Sequence, residues 1–120
     1  MPGTFEDLEV WQIAMELVYE VYEATRRFPP DERFGLISRM RRAAVSIPSN
    51  IAEGKGRSTD RDFALFLSHS RGSQQELHTQ ILIAKHLGFL SSEDADRLVE
   101  RTARIGRMLH GLIKSTHANA

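Results

Sequence analysis

Apolar residues recur three and four positions apart along most of this 120-residue chain. That is the spacing of one face of an α-helix, and no run alternates with the two-residue period of a half-buried strand. The fold class this permits is all-α. The pattern is cut at Phe28-Pro29-Pro30, at Gly54-Lys55-Gly56 and at Gly88. Proline lacks an amide hydrogen and pushes the preceding residue out of the helical region, while glycine favours the position just past a helix end. Four helices are therefore predicted, over about 7–27, 31–54, 59–88 and 92–115, with residues 116–120 frayed. Asp31 and Glu32 suit the positive end of the second helix, and Ser58 or Thr59 can cap the third. Ser91 with Asp94 makes a capping-box-like start for the fourth. Short connections between long helices make neighbours antiparallel, so the expected architecture is an up-down-up-down four-helix bundle. A chain of this length supports one core and one domain.

The second helix contains Pro48, which deletes one hydrogen bond and crowds the carbonyl of Ala44. The apolar face Leu36, Met40, Ala44, Ile47 and Ile51 stays in register across it. A continuous helix kinked at Pro48 is expected, with Ser46, Ser49 and Asn50 satisfying freed carbonyls. A second stripe, Arg39, Arg42, Ser46, Asn50, Glu53 and Arg57, runs well away from that face. Arginines around Asn and Ser can hold phosphate oxygens by charge-assisted bonds. The same stripe has a purely structural explanation: Glu53 pairs with Arg57 four residues on, and Ser46 and Asn50 serve the kink.

The first helix carries two apolar sectors, one of Leu8, Trp11, Met15, Val18 and Tyr22, the other of Val10, Ala14, Leu17, Val21 and Phe28. One sector suffices for a bundle core, so the second is expected to meet another subunit. The interface is placed at Val10, Ala14, Leu17 and Val21. Glu16 and Glu20, within an acidic stripe that also holds Glu9, Gln12 and Glu23, are set against the arginines of a neighbouring copy. Such a head-to-tail contact closes a ring.

Charge is balanced overall, with 16 basic and 16 acidic residues, but unevenly distributed. Residues 1–30 hold Glu6, Asp7, Glu9, Glu16, Glu20 and Glu23 against Arg26 and Arg27. Residues 31–61 hold Arg33, Arg39, Arg41, Arg42, Lys55, Arg57 and Arg61 against Asp31, Glu32, Glu53 and Asp60. The basic segment suits phosphate binding, and an acidic neighbouring helix could equally neutralise it. Arg39, Arg41, Arg42, Lys55, Arg57, Arg61 and Arg71 are the candidate nucleic-acid contacts. In the fourth helix, Glu93-Arg97 and Glu100-Arg104 have the spacing of a solvated, salt-bridged face. No cysteine is present, which excludes disulfides and thiolate chemistry. The N-terminal segment has no basic region followed by an apolar one, and no window approaches a membrane span, so a soluble cytoplasmic protein is expected.

Three segments carry a family resemblance: Phe5-x-Asp7-Leu8-x-Val10-Trp11, Arg41-Arg42-Ala43-Ala44-x-Ser46-Ile47-Pro48-Ser49-Asn50-Ile51-Ala52-Glu53-Gly54-x-Gly56-Arg57, and Gly72-Ser73-x-x-Glu76-Leu77-x-Thr79-Gln80. Together they resemble the four-helix-bundle proteins of 23S ribosomal-RNA intervening sequences, whose relatives include the accessory variability determinant of diversity-generating retroelements. The resemblance spans nearly the whole chain, and its long middle motif is the specific one. It implies a barrel-shaped homopentamer and nucleic-acid binding through a basic surface. In the retroelement relative it also implies partnership with a reverse transcriptase.

The histidines His69, His78, His86, His110 and His117 form neither an H-E-x-x-H nor a Glu-x-x-His arrangement, so no metal site is expected. No G-x-S-x-G elbow is present, and Gly54-x-Gly56 follows a helix rather than a strand. No catalytic residue and no cofactor are assigned. The expected function is a non-enzymatic, oligomeric bundle that binds RNA or DNA or scaffolds a nucleic-acid-processing protein. The alternative is a protein-interaction module whose arginines only stabilise the oligomer. An RNA hydrolase using Glu53 as base ranks last, because no second acid supports it.

Overall fold

In a computed structural model describing residues 3–119, the helical periods become four α-helices and no strand. These are α1 (Glu9–Thr25), α2 (Ser38–Lys55), α3 (Asp60–His86) and α4 (Ser92–Asn119). Each packs on the next, and α4 returns to α1, which makes a closed up-down-up-down bundle. At about 1.5 Å per residue α4 is about 42 Å long, and it sets the long dimension of a 46 × 21 × 20 Å body.

Local chemistry fixes the ends. A 3-10 turn at Phe5–Asp7 precedes α1, with the Asp7 carboxylate accepting from the Thr4 amide at 3.0 Å and Thr4 Oγ1 accepting from the Glu6 amide at 3.2 Å. Thr59 is the residue that caps α3, accepting from the Asp62 amide at 3.1 Å. Past α3, Gly88 takes a φ of 81°, and the amides of Gly88 and Phe89 bond the carbonyls of Lys85 and Ala84. This paired C-terminal motif needs a left-handed residue, which glycine supplies without strain. Ser91 Oγ accepts from the Asp94 amide at 3.1 Å and starts α4.

Two boundaries differ from those expected. The segment after Pro29 is not the first part of α2. Pro30–Glu32 forms a 3-10 turn and Arg33–Ile37 a π-helical turn, with non-helical dihedrals at Gly35 (φ −103°, ψ −114°). Glu32 accepts from the Leu36 amide at 3.0 Å and so caps the entry to α2 rather than lying within it. At the other end, α4 continues to Asn119, with Thr116 buried and bonded to the Leu112 carbonyl at 2.8 Å. Of the tail expected to fray, residues 116–119 are helical and residue 120 lies outside the described ones.

One core joins all four helices, through Val10, Ala14, Leu17 and Val21 of α1, Met40, Ala44, Ile47 and Ile51 of α2, Leu67, Leu77 and Ile81 of α3, and Leu98, Ile105 and Leu109 of α4. Each large side chain buried there contributes on the order of 2 kcal/mol by transfer from water. The α1 assignment corrects the expected oligomer interface. Val10, Ala14, Leu17 and Val21 lie inside the protomer, and the sector facing outward is the other one, with Trp11 and Met15 half-buried and Tyr22 exposed. Glu20 is also committed within the protomer, to Arg101 at 3.0 Å, while Glu16 stays exposed. No helix of the described residues is long and apolar enough to cross a membrane.

Candidate functional site

The polar stripe of α2 meets α3 along one seam. Ser46 Oγ lies 2.8 Å from Ser73 Oγ, and the Asn50 amide donates to the Ser46 carbonyl at 2.8 Å and to Ser46 Oγ at 2.9 Å. One position deeper, the buried Ser70 hydroxyl donates to the Ile47 carbonyl at 2.9 Å. α2 passes through Pro48 without interruption. Among the described residues the freed Ala44 carbonyl gains no side-chain donor; Ser46 and Ser70 tie α2 to α3, while Asn50 bonds back to Ser46 within α2. Close approach continues at Gly54, where an added Cβ would lie 2.7 Å from Phe66 Cβ. Gly72 has open space beside it and does no such work.

The basic candidates separate into three groups. Arg41 turns back onto α1, donating from Nε to Thr25 Oγ1 at 2.9 Å and from Nη2 to the Tyr22 carbonyl at 3.4 Å, with its guanidinium 4.5 Å from the Tyr22 ring centroid. It is a bundle tie. Lys55 and Arg57 lie at the α2–α3 end over Phe63 and Phe66, at 5.7 and 4.6 Å from the ring centroids, and Arg57 also pairs with Glu53 at 2.8 Å. The aromatic rings attract these cations without neutralising them, and the half-exposed pair with Glu53 is weak. Arg61 stands exposed nearby. Arg39 and Arg42 are exposed toward the opposite end of α2, roughly 20 Å away along the helix. Arg39, Arg42, Arg61 and Arg71 form no ion pair among the described residues.

The acids of α1 do not neutralise them. Glu20 pairs with Arg101 of α4 and Glu23 with Arg26 of its own helix. On α4 the pairings also differ from those expected. Arg97 reaches Asp94 at 3.2 Å and Arg107 reaches Glu100 at 3.4 Å, in place of Glu93–Arg97 and Glu100–Arg104, and Arg101 points across to α1.

Arg71 sits apart from the other candidates, in a groove of about 410 Å³ between α3 and α4 that also presents Gln74, His78, Gly106, Arg107 and His110. Sequence reasoning did not find this groove, since its halves are some thirty residues apart and neither half is distinctive. Each half holds one arginine and one histidine, Arg71 and His78 on α3 and Arg107 and His110 on α4, which come together only once antiparallel pairing is fixed. A second, apolar groove lies between α1 and α2. Its walls are Trp11, Met15, Val18, Val45, Pro48 and Ala52, with a volume of about 340 Å³. Tyr19 (63% exposed) and Tyr22 extend it.

A family model described as "23S rRNA-intervening sequence protein" matches residues 6–111. No curated protein matches the chain. Among solved structures, the chain is similar to a protein of unknown function of the S23 ribosomal protein family from Bacteroides thetaiotaomicron. Identity is 18% with a TM-score of 0.80, over 88% of this chain and 98% of that one, a likeness of fold.

Proposed function

The chain belongs to the 23S rRNA-intervening sequence protein family, and from that premise we propose that it is a non-enzymatic nucleic-acid-binding scaffold built as a homopentameric ring. The observation that carries the binding reading is the set Arg39, Arg42, Arg61 and Arg71, left without carboxylate partners in a chain whose net charge is zero. Lys55 and Arg57, held on aromatic rings, extend that surface at the α2–α3 end. Phosphate contacts of this kind position a nucleic acid without reading its sequence. The apolar α1–α2 groove supports the assembly, since exposed Tyr19, Tyr22 and Val45 adjoin half-buried Trp11 and Met15 in one apolar surface of a kind uncommon on a soluble monomer. Repetition around a ring multiplies a weak basic patch by avidity. A nucleic-acid-processing protein docked on the same ring is the partner this reading accommodates.

The experiment is light-scattering mass of the purified protein, with and without a structured RNA fragment, at low and at high salt. A ring that gains mass with RNA only at low salt supports the proposal. The Arg42→Glu/Arg61→Glu double variant should keep the ring and lose the RNA, with a shallower dependence of affinity on salt. Trp11→Ala/Tyr22→Ala should break the ring. A ring indifferent to RNA at every salt concentration would replace the proposal with a protein-interaction module.

A further inference from the structure

We infer that the groove between α3 and α4 is the cleft that takes a single nucleic-acid strand, holding its phosphodiester groups between Arg71 and Arg107. This deepens the nucleic-acid reading above and rests on it. The groove is floored by Gly106, where a Cβ would fall 2.7 Å from Gln74 Oε1 and 2.8 Å from Gln74 Cδ. The missing side chain is therefore the space in which the Gln74 carboxamide lies. Gln74 is only 5% exposed, yet it lines the groove and makes no side-chain hydrogen bond within the described residues. Its polar atoms are not shut away from solvent, so the carboxamide is free to bond a group that enters the groove.

The rest of the lining has one chemical character. Arg71 and His78 stand seven residues apart on one face of α3, about 10 Å, and the Gly106–Gln74 contact sets Arg107 and His110 of α4 alongside the Arg71–Gln74 half of that face. No carboxylate lines the groove. Glu100 reaches Arg107 from outside it, at 3.4 Å and with both side chains well exposed, a pairing that a phosphate can displace. Guanidinium and imidazole donors above a neutral amide fit phosphate oxygens, and Gln74 can also meet a sugar hydroxyl or a base edge. A groove of about 410 Å³ between two packed helices has room for a few groups of one strand and not for the width of a duplex. A duplex would rest on the ridges and never reach Gln74.

The test compares fluorescence anisotropy of a labelled single-stranded RNA oligonucleotide, the same sequence as a duplex, and competition by inorganic phosphate. Three variants of the full chain are needed: Arg71→Gln/Arg107→Gln, Gly106→Ala and Arg42→Gln. Gly106→Ala changes no charge, displaces only the end of a flexible side chain and favours the helix, so folding is retained. Expected are loss of single-strand affinity by roughly tenfold or more in Arg71→Gln/Arg107→Gln, a several-fold loss in Gly106→Ala, and a preference for single strand over duplex that both variants erase. Competition only at millimolar inorganic phosphate would assign the groove to a strand. Tight competition by free phosphate would overturn that and leave an ion site. If Arg42→Gln weakens binding while the groove variants do not, the inference fails and the nucleic-acid reading stands. If the unaltered chain binds neither RNA, both fail.

Discussion

Gly54→Ala tests the close approach of α2 to the α3 backbone at Phe66. In an ordinary helical position this substitution stabilises by about 1 kcal/mol, because alanine restricts the unfolded chain and propagates the helix better. At Gly54 the new Cβ would fall 2.7 Å from Phe66 Cβ, 3.1 Å from Phe63 Cδ1 and 3.4 Å from the Phe63 carbonyl oxygen. Phe66 Cβ is fixed to the α3 backbone, so rotamer changes cannot relieve the contact and α2 must move away from α3. Such overpacking costs roughly 1–3 kcal/mol. That movement also stretches the Ser70 bond to Ile47 and the Ser46–Ser73 contact farther along the seam. After the propensity gain is offset, net destabilisation of about 1 kcal/mol is expected. Gly72→Ala is the control, since that glycine lies mid-helix in α3 with nothing within 4 Å, and it should stabilise by about 0.5–1 kcal/mol. For a chain of this size about 1 kcal/mol moves Tm by roughly 4 °C. The two variants should therefore melt about 6–8 °C apart, on opposite sides of the parent, at one fixed protomer concentration because assembly also shifts Tm. If Gly54→Ala raises Tm as Gly72→Ala does, glycine is not what sets the α2–α3 crossing and the packing argument fails.

Three further outcomes are expected. Ser70→Ala removes a buried donor to the Ile47 carbonyl and should cost about 1–2 kcal/mol in urea unfolding, whereas Ser49→Ala, at an exposed position, should be nearly silent. Arg41→Met keeps an unbranched stem but loses the bonds to Thr25 and the Tyr22 carbonyl, and should destabilise by about 1–2 kcal/mol while leaving the salt slope of RNA binding unchanged. A reduced slope in that variant would return Arg41 to the binding surface. Thr59→Ala removes the α3 cap at a cost of about 1 kcal/mol, which Thr59→Ser should largely restore in the same melting assay.

Helix number and the main stops were legible because proline and glycine act locally, through one amide or one dihedral. Residues 31–37 were not, since Asp-Glu-Arg-Phe-Gly-Leu-Ile reads as a helix start. What makes it a 3-10 turn and then a π-helical turn is Gly35 and the reach of Glu32 to the Leu36 amide, both set by the corner after Pro29-Pro30. The two sectors of α1 were visible, but periodicity gives faces and not partners. The sector with the slim Ala14 between Val10, Leu17 and Val21 went inward, leaving the bulkier Trp11, Met15 and Tyr22 outside. Ser46 and Asn50 were recognised as special for a local reason, the proline; Asn50 does bond locally, to Ser46, but Ser46 also meets Ser73 and Ser70 bonds Ile47 from another helix.

The charge pattern shows why the site was harder to read than the fold. An acidic first helix followed by a basic second one invites mutual neutralisation, and sequence alone does not say which helix α1 uses its acids on. The closed bundle gives α1 two neighbours, and Glu20 faces α4, where Arg101 takes it at 3.0 Å; Arg27 then reaches Asp94 across the same seam. The α1–α2 seam has no ion pair among the described residues. There Val18, Val45 and Pro48 meet, and the one arginine reaching across, Arg41, bonds a hydroxyl and a carbonyl. A net charge of zero thus conceals an uneven pairing: Glu20 is spent on α4, while Arg39, Arg42, Arg61 and Arg71 of α2 and α3 make no ion pair among the described residues. Salt screens such exposed charge, largely beyond about 10 Å at 0.1 M and at shorter range as salt rises, so a ligand held by it is released as ionic strength rises, a dependence that an apolar contact through Trp11 and Tyr22 would not share.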